Sequence, residues 1–238
     1  MLEGVLRISN FKPPDIEQNQ EEVTMSFFTM LSQMGVGMLK TIGIFGLTLI
    51  FSMPLGFIVA FGRMSKNSVI QGLTRAYISV LRGTPLMLQL MVVYFFPFYL
   101  FHISIGGWRY PAIIVGFTIN YSAYFAEIYR SGIEAIPKGQ HEAARLLGYT
   151  KAQTFFRIIL PQVFKIILPA ITNEVITLVK DTSLAYSLSY IEMFTVAKQI
   201  AAAETSMMPF LIAAVFYFVF NLLVSGIMNL LEKKMSYY

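Results

Sequence analysis

The sequence has 238 residues, of which 56% are hydrophobic and only 13% are charged, and it contains no cysteine. A soluble domain carries about 25% charged residues, so this composition indicates an integral membrane protein and excludes disulfides and thiol catalysis. The net charge of +5 does not indicate nucleic-acid binding here, because basic residues collect in the cytoplasmic loops of membrane proteins.

In chain order, the sequence begins with a polar tail and continues with five apolar runs. Residues 1–30 are predicted to form an extracytoplasmic N-terminal tail. The apolar runs are near the length that crosses the hydrocarbon core as a helix, although Lys165 and Glu174 interrupt the fourth. We therefore predict an all-α membrane protein, a five-span helical bundle with spans at about residues 39–62, 84–103, 110–132, 155–179 and 207–231.

The distribution of lysine and arginine predicts the orientation of the chain. Basic residues lie between the first and second predicted spans, between the third and fourth, and after the fifth, whereas the loops of the opposite side hold only Arg109 and Lys198. Cytoplasmic loops are enriched in these residues. The N-terminus is therefore predicted outside and the C-terminus inside, as an odd number of spans requires.

The loop between the third and fourth spans, at about residues 134–157, is predicted to form two helices with a corner between them. Pro137 suits the first turn of a helix, and Gly148 suits a left-handed helix stop. Thr150 followed by Gln153 has the spacing of a capping box, which opens the next helix. The first helix is too short to be stable alone in water, so we expect it to dock on another surface.

A composite motif in this loop carries a family resemblance. The motif consists of Glu142-Ala143-Ala144, Gly148, Ile158 and Leu160-Pro161. It resembles the EAA loop of permease subunits in binding-protein-dependent ABC importers, where the loop forms a coupling helix that docks on a cytoplasmic ATPase. Residues 82–98, 123–162 and 178–200 are similar to the polar amino acid branch of these permeases.

The resemblance implies a type I ABC importer permease fold for residues 31–238 and an ATP-driven import of polar amino acids across a bacterial cell membrane. The implied partners are two ABC ATPase subunits, an extracytoplasmic amino-acid-binding protein and a second permease, either identical or closely related. The ATPase-coupling residues that it implies are Glu142, Ala143, Ala144, Arg145, Leu147 and Gly148.

The chain is predicted not to be an enzyme. It has no G-x-x-x-x-G-K-[ST] sequence, the loop that cradles nucleotide phosphates. ATP and Mg are therefore expected to bind to the partner ATPase, with no cofactor and no metal in this chain. No arrangement of nucleophile and base, paired carboxylates or metal ligands stands out in the sequence.

Polar residues at helical spacing in the third and fourth spans form the predicted substrate path. Ionisable residues within a bilayer usually face a bundle interior or a wet cavity. Lys180 and Asp181 could hold a zwitterion, and Glu174 could favour a basic side chain. The predicted substrate-binding residues are Asn120, Tyr124, Glu174, Thr177, Lys180 and Asp181. The rival interpretation is that Lys180 and Asp181 pair with other helices.

Two other polar groups have structural interpretations of comparable or greater weight. Glu127 and Arg130 can form an ion pair within one helix. The stretch Arg82–Pro85 is interpreted as the cytoplasmic start of the second span rather than as a substrate contact, with Thr84 as a cap and Arg82 reaching the headgroups.

Other functions remain open from the sequence. An EAA loop alone also fits a permease for a peptide, a sugar or an ion, and only the flanking segments favour amino acids. An intramembrane enzyme and a scaffold or sensor without transport are the alternatives from other classes.

Overall fold

The computed structural model describes residues 26–236, and every regular element in this range is helical. The predicted tail therefore lies almost entirely outside the described residues. The helices are α1 (Phe27–Arg63), α2 (Ser68–Gly83), α3 (Leu86–Phe101), α4 (Arg109–Glu134), α5 (Lys138–Leu146), α6 (Lys151–Gln153), α7 (Leu160–Asp181), α8 (Met193–Ala203) and α9 (Met208–Ser236). A π-helical segment, Thr154–Ile159, precedes α7, and a 3-10 segment, Thr182–Leu188, follows it.

The helices at the predicted spans differ in length and in apolar composition. By length and composition, helices at Phe27–Arg63, Lys151–Leu188 and Met208–Met235 can each cross a membrane. The second predicted span is instead the second helix of a broken pair, because α2 and α3 are bent by 114° at residues 84–85. The third predicted span coincides with α4, which carries more polar residues than the others. The all-helical class is confirmed, while the five-span count and the orientation of the termini stay predictions.

Close packing of α1 against α4 forms the centre of the bundle. The contact is made possible by Gly56, where a Cβ atom would lie 2.7 Å from the Cβ of Phe125 and 3.0 Å from the carbonyl oxygen of Ser122. Small residues allow helix backbones to approach in membranes, where van der Waals packing drives association. Farther along α4, Gly132 similarly receives the side chains of Val163 and Ile167 from α7.

The N-terminal part of α1 belongs to a second, smaller core. Met30, Met34 and Met38 lie on one face of α1 and pack with Met193 and Ile200 of α8. The three methionines are spaced four residues apart, which keeps their side chains on one face of the helix. These contacts explain why α1 begins at Phe27, well before the predicted start of the first span at residue 39.

The loop that carries the composite motif has the predicted local geometry. Gly148 adopts φ +79° after α5, and Thr150 forms a capping box with Gln153. Both predictions are confirmed. The helix then continues through the π-helical segment into α7, a geometry that the sequence did not reveal.

Candidate functional site

A polar bridge joins the α2–α3 break to the middle of α4. The side-chain amide of Asn120 donates to Oε1 of Gln89 at 2.8 Å and to the carbonyl oxygen of Leu81 at 3.1 Å. Nε2 of Gln89 in turn donates to Oγ1 of Thr84 at 2.7 Å. These bonds satisfy backbone groups that a broken helix leaves free, and non-helical backbone within a membrane needs such partners.

Arg82 lies beside this bridge. Its guanidinium stacks over the ring of Tyr124 at 5.1 Å from the centroid, and its charge interacts with those of Glu174 and Glu127. A cation over an aromatic face is attracted by the ring quadrupole. The stretch Arg82–Pro85 therefore lies at the break beside the middle of α4, where α3 begins at Leu86 without a side-chain cap from Thr84.

Asp181 ends α7 and contacts α4. The hydroxyl of Tyr121 donates to Oδ2 of Asp181 at 2.7 Å. Tyr121 is 2% exposed, whereas Asp181 is partly exposed. Glu174, two turns earlier on α7, is also partly exposed. A hydroxyl bonded to a carboxylate is one of the stronger kinds of hydrogen bond.

The structure thus gathers some of the predicted substrate residues and separates others. We define the mid-bundle cluster as Arg82, Tyr121, Tyr124, Glu174 and Asp181. Asn120, also predicted, is 3% exposed and engaged in the bridge one turn from Tyr124.

The remaining two predicted residues lie on the exposed face of α7. Lys180 is exposed, and the hydroxyl of Thr177 donates to the carbonyl oxygen of Asn173 at 2.9 Å within the same helix.

Sequence reasoning considered Arg82–Pro85 as a substrate contact but favoured a helix start, and it missed Gln89 and Tyr121 as members of this region. Arg82 was assigned to the membrane surface because nothing in a linear sequence indicates a 114° bend within a span. Tyr121 was missed because it resembles the other aromatic residues of a membrane helix. The available signal was its spacing, since Tyr121 and Tyr124 are three residues apart and share a helix face.

An ion-pair cluster lies at the end of α4 that is predicted to be cytoplasmic. Glu127 contacts Arg130 at 2.6 Å and Arg63 of α1 at 3.8 Å, and Arg130 also contacts Glu134. Each side chain is partly exposed except Glu134, which is largely exposed. The arrangement is a structural tie between the ends of α1 and α4.

The helix α5 presents an uncovered apolar surface. Leu146 is 90% exposed and Leu147 is 75% exposed, while Ala144 on the inner face is buried. Ala143, like the rim residues Glu142 and Arg145, is also exposed. Large exposed apolar side chains with a polar rim are typical of a protein interaction site.

Comparison with known proteins assigns the fold and the loop to one family. Residues 52–237 match the family described as the binding-protein-dependent transport system inner membrane component. The chain belongs to this family. It is therefore a permease component of the inner membrane, and the α5 loop lies within the matched region.

Individual relatives extend over nearly the whole chain. The L-cystine transport system permease protein TcyB of Bacillus subtilis is 36% identical over 218 residues, which cover 91% of each chain. A putative glutamine transport system permease protein GlnP of Rickettsia conorii is 34% identical over 90% of this chain and 98% of its own.

Solved structures agree with the fold. The crystal structure of an amino acid ABC transporter with histidines matches with a TM-score of 0.80 and 32% identity, and the match covers 89% of this chain and 98% of that chain. The inward facing MetNI methionine ABC transporter matches with a TM-score of 0.69 at 18% identity over 87% of this chain and 96% of that chain. Because the identity is low, this second match is evidence for the fold alone.

Proposed function

We propose that the chain is the permease subunit of an ABC importer for polar amino acids and that the mid-bundle cluster borders the substrate path. The similarity to permeases named for cystine and glutamine transport supports the substrate class. No observation favours a peptide, a sugar or an ion.

The observation that carries the site is a set of opposite charges gathered beside the middle of α4. Glu174 and Asp181 supply carboxylates, and Arg82 supplies a cation. A zwitterionic amino acid needs a cation for its carboxylate and an acid or carbonyl for its ammonium. Ionisable groups are costly within a membrane and usually mark a substrate path or a pairing partner. The arrangement therefore fits a small, doubly charged solute.

Individual residues have distinct proposed roles. Arg82 attracts the substrate carboxylate, and Asp181, oriented by Tyr121, attracts the ammonium. Glu174 favours a basic side chain. Lys180 and Thr177 lie farther along the exposed face of α7 and line the approach, while Asn120 holds the α2–α3 break in position. This assignment gives Arg82 the role predicted for Lys180 at the substrate carboxylate, and it makes Asn120 a positioning residue.

The partners follow from the same family membership. We propose that α5 docks on a separate ATPase, with two ATPase subunits in the complex binding ATP and Mg. An extracytoplasmic amino-acid-binding protein delivers the substrate, and a second permease, identical or closely related, completes the pathway. ATP binding brings the ATPase subunits together and moves α5, and the connected α7 carries the movement to Glu174.

Uptake by the complete transporter in proteoliposomes tests the site. We expect Glu174→Gln to assemble with the ATPase and to keep ATPase stimulation by loaded binding protein. Uptake of cationic amino acids should fall about tenfold or more, because a hydrogen bond to a charged group contributes about 1.5–3 kcal/mol. Uptake of neutral amino acids should change less.

The matched control is Glu134→Gln, which removes an exposed carboxylate from the ion-pair cluster at the end of α4, outside the mid-bundle cluster. Unchanged uptake of every tested amino acid in Glu174→Gln overturns the site. Absence of any amino-acid uptake by the unmodified transporter overturns the substrate class.

A further inference from the structure

A continuous apolar groove lies on the outer surface of the bundle. One cavity, of about 300 Å³, is bordered by Phe57 of α1 and Ile133 of α4. A second cavity, of about 530 Å³, extends to the last turn of α9. Both cavities are lined by Phe156, Leu160 and Phe164, so they form one groove, which we call the α7 groove.

The end of the α7 groove is basic. Lys165 of α7 and Lys234 of α9 line the second cavity, and both side chains are exposed. Arg157 and Lys233 lie nearby in sequence and are also exposed. Glu232 lines an adjoining cavity together with Lys165, and its carboxylate accepts a hydrogen bond from Thr172. Lys165 and Lys234 therefore give the second cavity a basic rim.

Apolar lining and a basic rim together match one class of molecule. Basic pockets between membrane helices on the cytoplasmic side bind anionic lipid headgroups. We propose that the α7 groove binds an anionic phospholipid of the inner leaflet, with its phosphate between Lys165 and Lys234 and an acyl chain along Phe156 and Phe164.

The position of the groove connects the lipid to energy coupling. Phe156 is 62% exposed and belongs to the π-helical segment that joins the α5 loop to α7. A π-helical turn has a rarer hydrogen-bond pattern than an α-helix and often marks a functional site. A lipid bound here contacts the π-helical segment, through which movement of α5 reaches α7. The bound lipid stabilises one conformation of that segment.

The test uses the complete transporter with its ATPase subunits. We expect the unmodified protein to retain phosphatidylglycerol over phosphatidylcholine of equal chain length in native mass spectrometry. Lys165→Gln combined with Lys234→Gln should reduce this preference at least tenfold, because each basic residue near a lipid surface contributes about 1 kcal/mol. ATPase stimulation by phosphatidylglycerol in nanodiscs should fall in parallel.

The control removes two basic residues that lie elsewhere on the predicted cytoplasmic side, Lys66 and Arg75, both exposed. Lys66→Gln combined with Arg75→Gln should keep the preference for phosphatidylglycerol. A second variant, Phe164→Ala, should weaken retention while the basic rim remains.

Three outcomes overturn the proposal. The first is equal retention in the Lys165/Lys234 variant and its control. The second is displacement of phosphatidylglycerol by millimolar inorganic phosphate, which identifies a free-anion site. The third is a cross-link between Phe164→Cys and a second permease, which identifies the groove as a subunit interface. Lipid retention is measured without substrate, so it can fail independently of the amino-acid assignment.

Discussion

The hydroxyl of Tyr121 on α4 donates a 2.7 Å hydrogen bond to the carboxylate of Asp181, the last residue of α7. The bond joins the two helices at the point where α7 changes into a 3-10 segment. A 3-10 run of seven residues is longer than usual. Asp181 therefore has a fixed position although the backbone beyond it departs from α-helical geometry.

Loss of this bond should impair transport. We expect Tyr121→Phe to reduce uptake about tenfold or more, because a hydrogen bond to a charged group contributes about 1.5–3 kcal/mol. The measurement is initial uptake rate in proteoliposomes at equal permease content. Tyr110→Phe, at a tyrosine whose ring stacks on Tyr190, is the control and should transport normally. Equal rates for the two variants contradict the positioning of Asp181 by Tyr121.

Gly148→Val should uncouple the transporter without preventing membrane insertion. The residue has φ +79°, and an added Cβ meets nothing within 4 Å, so the cost arises from the backbone alone. A left-handed conformation costs an L-residue roughly 1–2 kcal/mol, and β-branching adds to it. ATPase stimulation by loaded binding protein should fall. Gly148→Asn, which tolerates this conformation, should retain stimulation, and equal loss in both variants argues against the backbone explanation.

A charge on the exposed tip of α5 should weaken assembly with the ATPase. Leu147→Asp places a carboxylate where a 75% exposed leucine is proposed to be covered. Interface anchors lose about 2 kcal/mol or more when disrupted, so the apparent affinity should fall about 30-fold. Co-purification from detergent measures it. Gln140→Asp changes an exposed residue of the same helix and should have little effect, and similar binding by both variants removes α5 from the interface.

Two glycines of α1 provide a matched test of helix packing. Gly56→Ala should destabilise the bundle by about 1–3 kcal/mol through overpacking, because the new methyl group meets backbone and Cβ atoms of α4. Gly46→Ala meets nothing within 4 Å and should be neutral or slightly stabilising. Thermal unfolding in detergent, followed by fluorescence of the single tryptophan, reports the difference. Equal melting temperatures contradict the close α1–α4 contact.

Topology can be measured directly because the chain has no cysteine. Cysteines introduced at residues 108 and 20 should react with an impermeant reagent from outside whole cells. Cysteines at residues 138, 151 and 233 should react only after permeabilisation. The expectation rests on the excess of lysine and arginine in the loops predicted to be inside. Strong outside labelling at residue 138 reverses the predicted orientation.

The sequence predicted elements whose causes are local. Apolar length identified α1 and α9, and the Thr150–Gln153 spacing predicted a capping box because its hydrogen bonds span only three residues. The left-handed conformation at Gly148 followed from the preference of helix stops for glycine. The family resemblance, which depended on a composite motif in the α5 loop, is confirmed.

Features that depend on packing could not be predicted in the same way. The bend between α2 and α3 is held by Gln89 and Asn120, which are 31 residues apart in sequence. The π-helical segment has no residue signature of its own. Likewise, the sequence placed Glu174 and Asp181 on one helix face but could not reveal that the charge of Arg82 lies within electrostatic reach of Glu174, since Arg82 is placed by the bend.

Glu192 determines how the end of the bundle around α8 can move. Its carboxylate is completely buried and accepts hydrogen bonds from Thr41 of α1, from Phe194 and Thr195 at the start of α8, and from Tyr217 of α9. Separating α8 from either neighbour leaves a buried carboxylate short of donors, which is costly. We therefore expect α1, α8 and α9 to rotate together as one rigid body at this end. We expect the angular change of a transport cycle to occur instead at the α2–α3 break and the 3-10 segment.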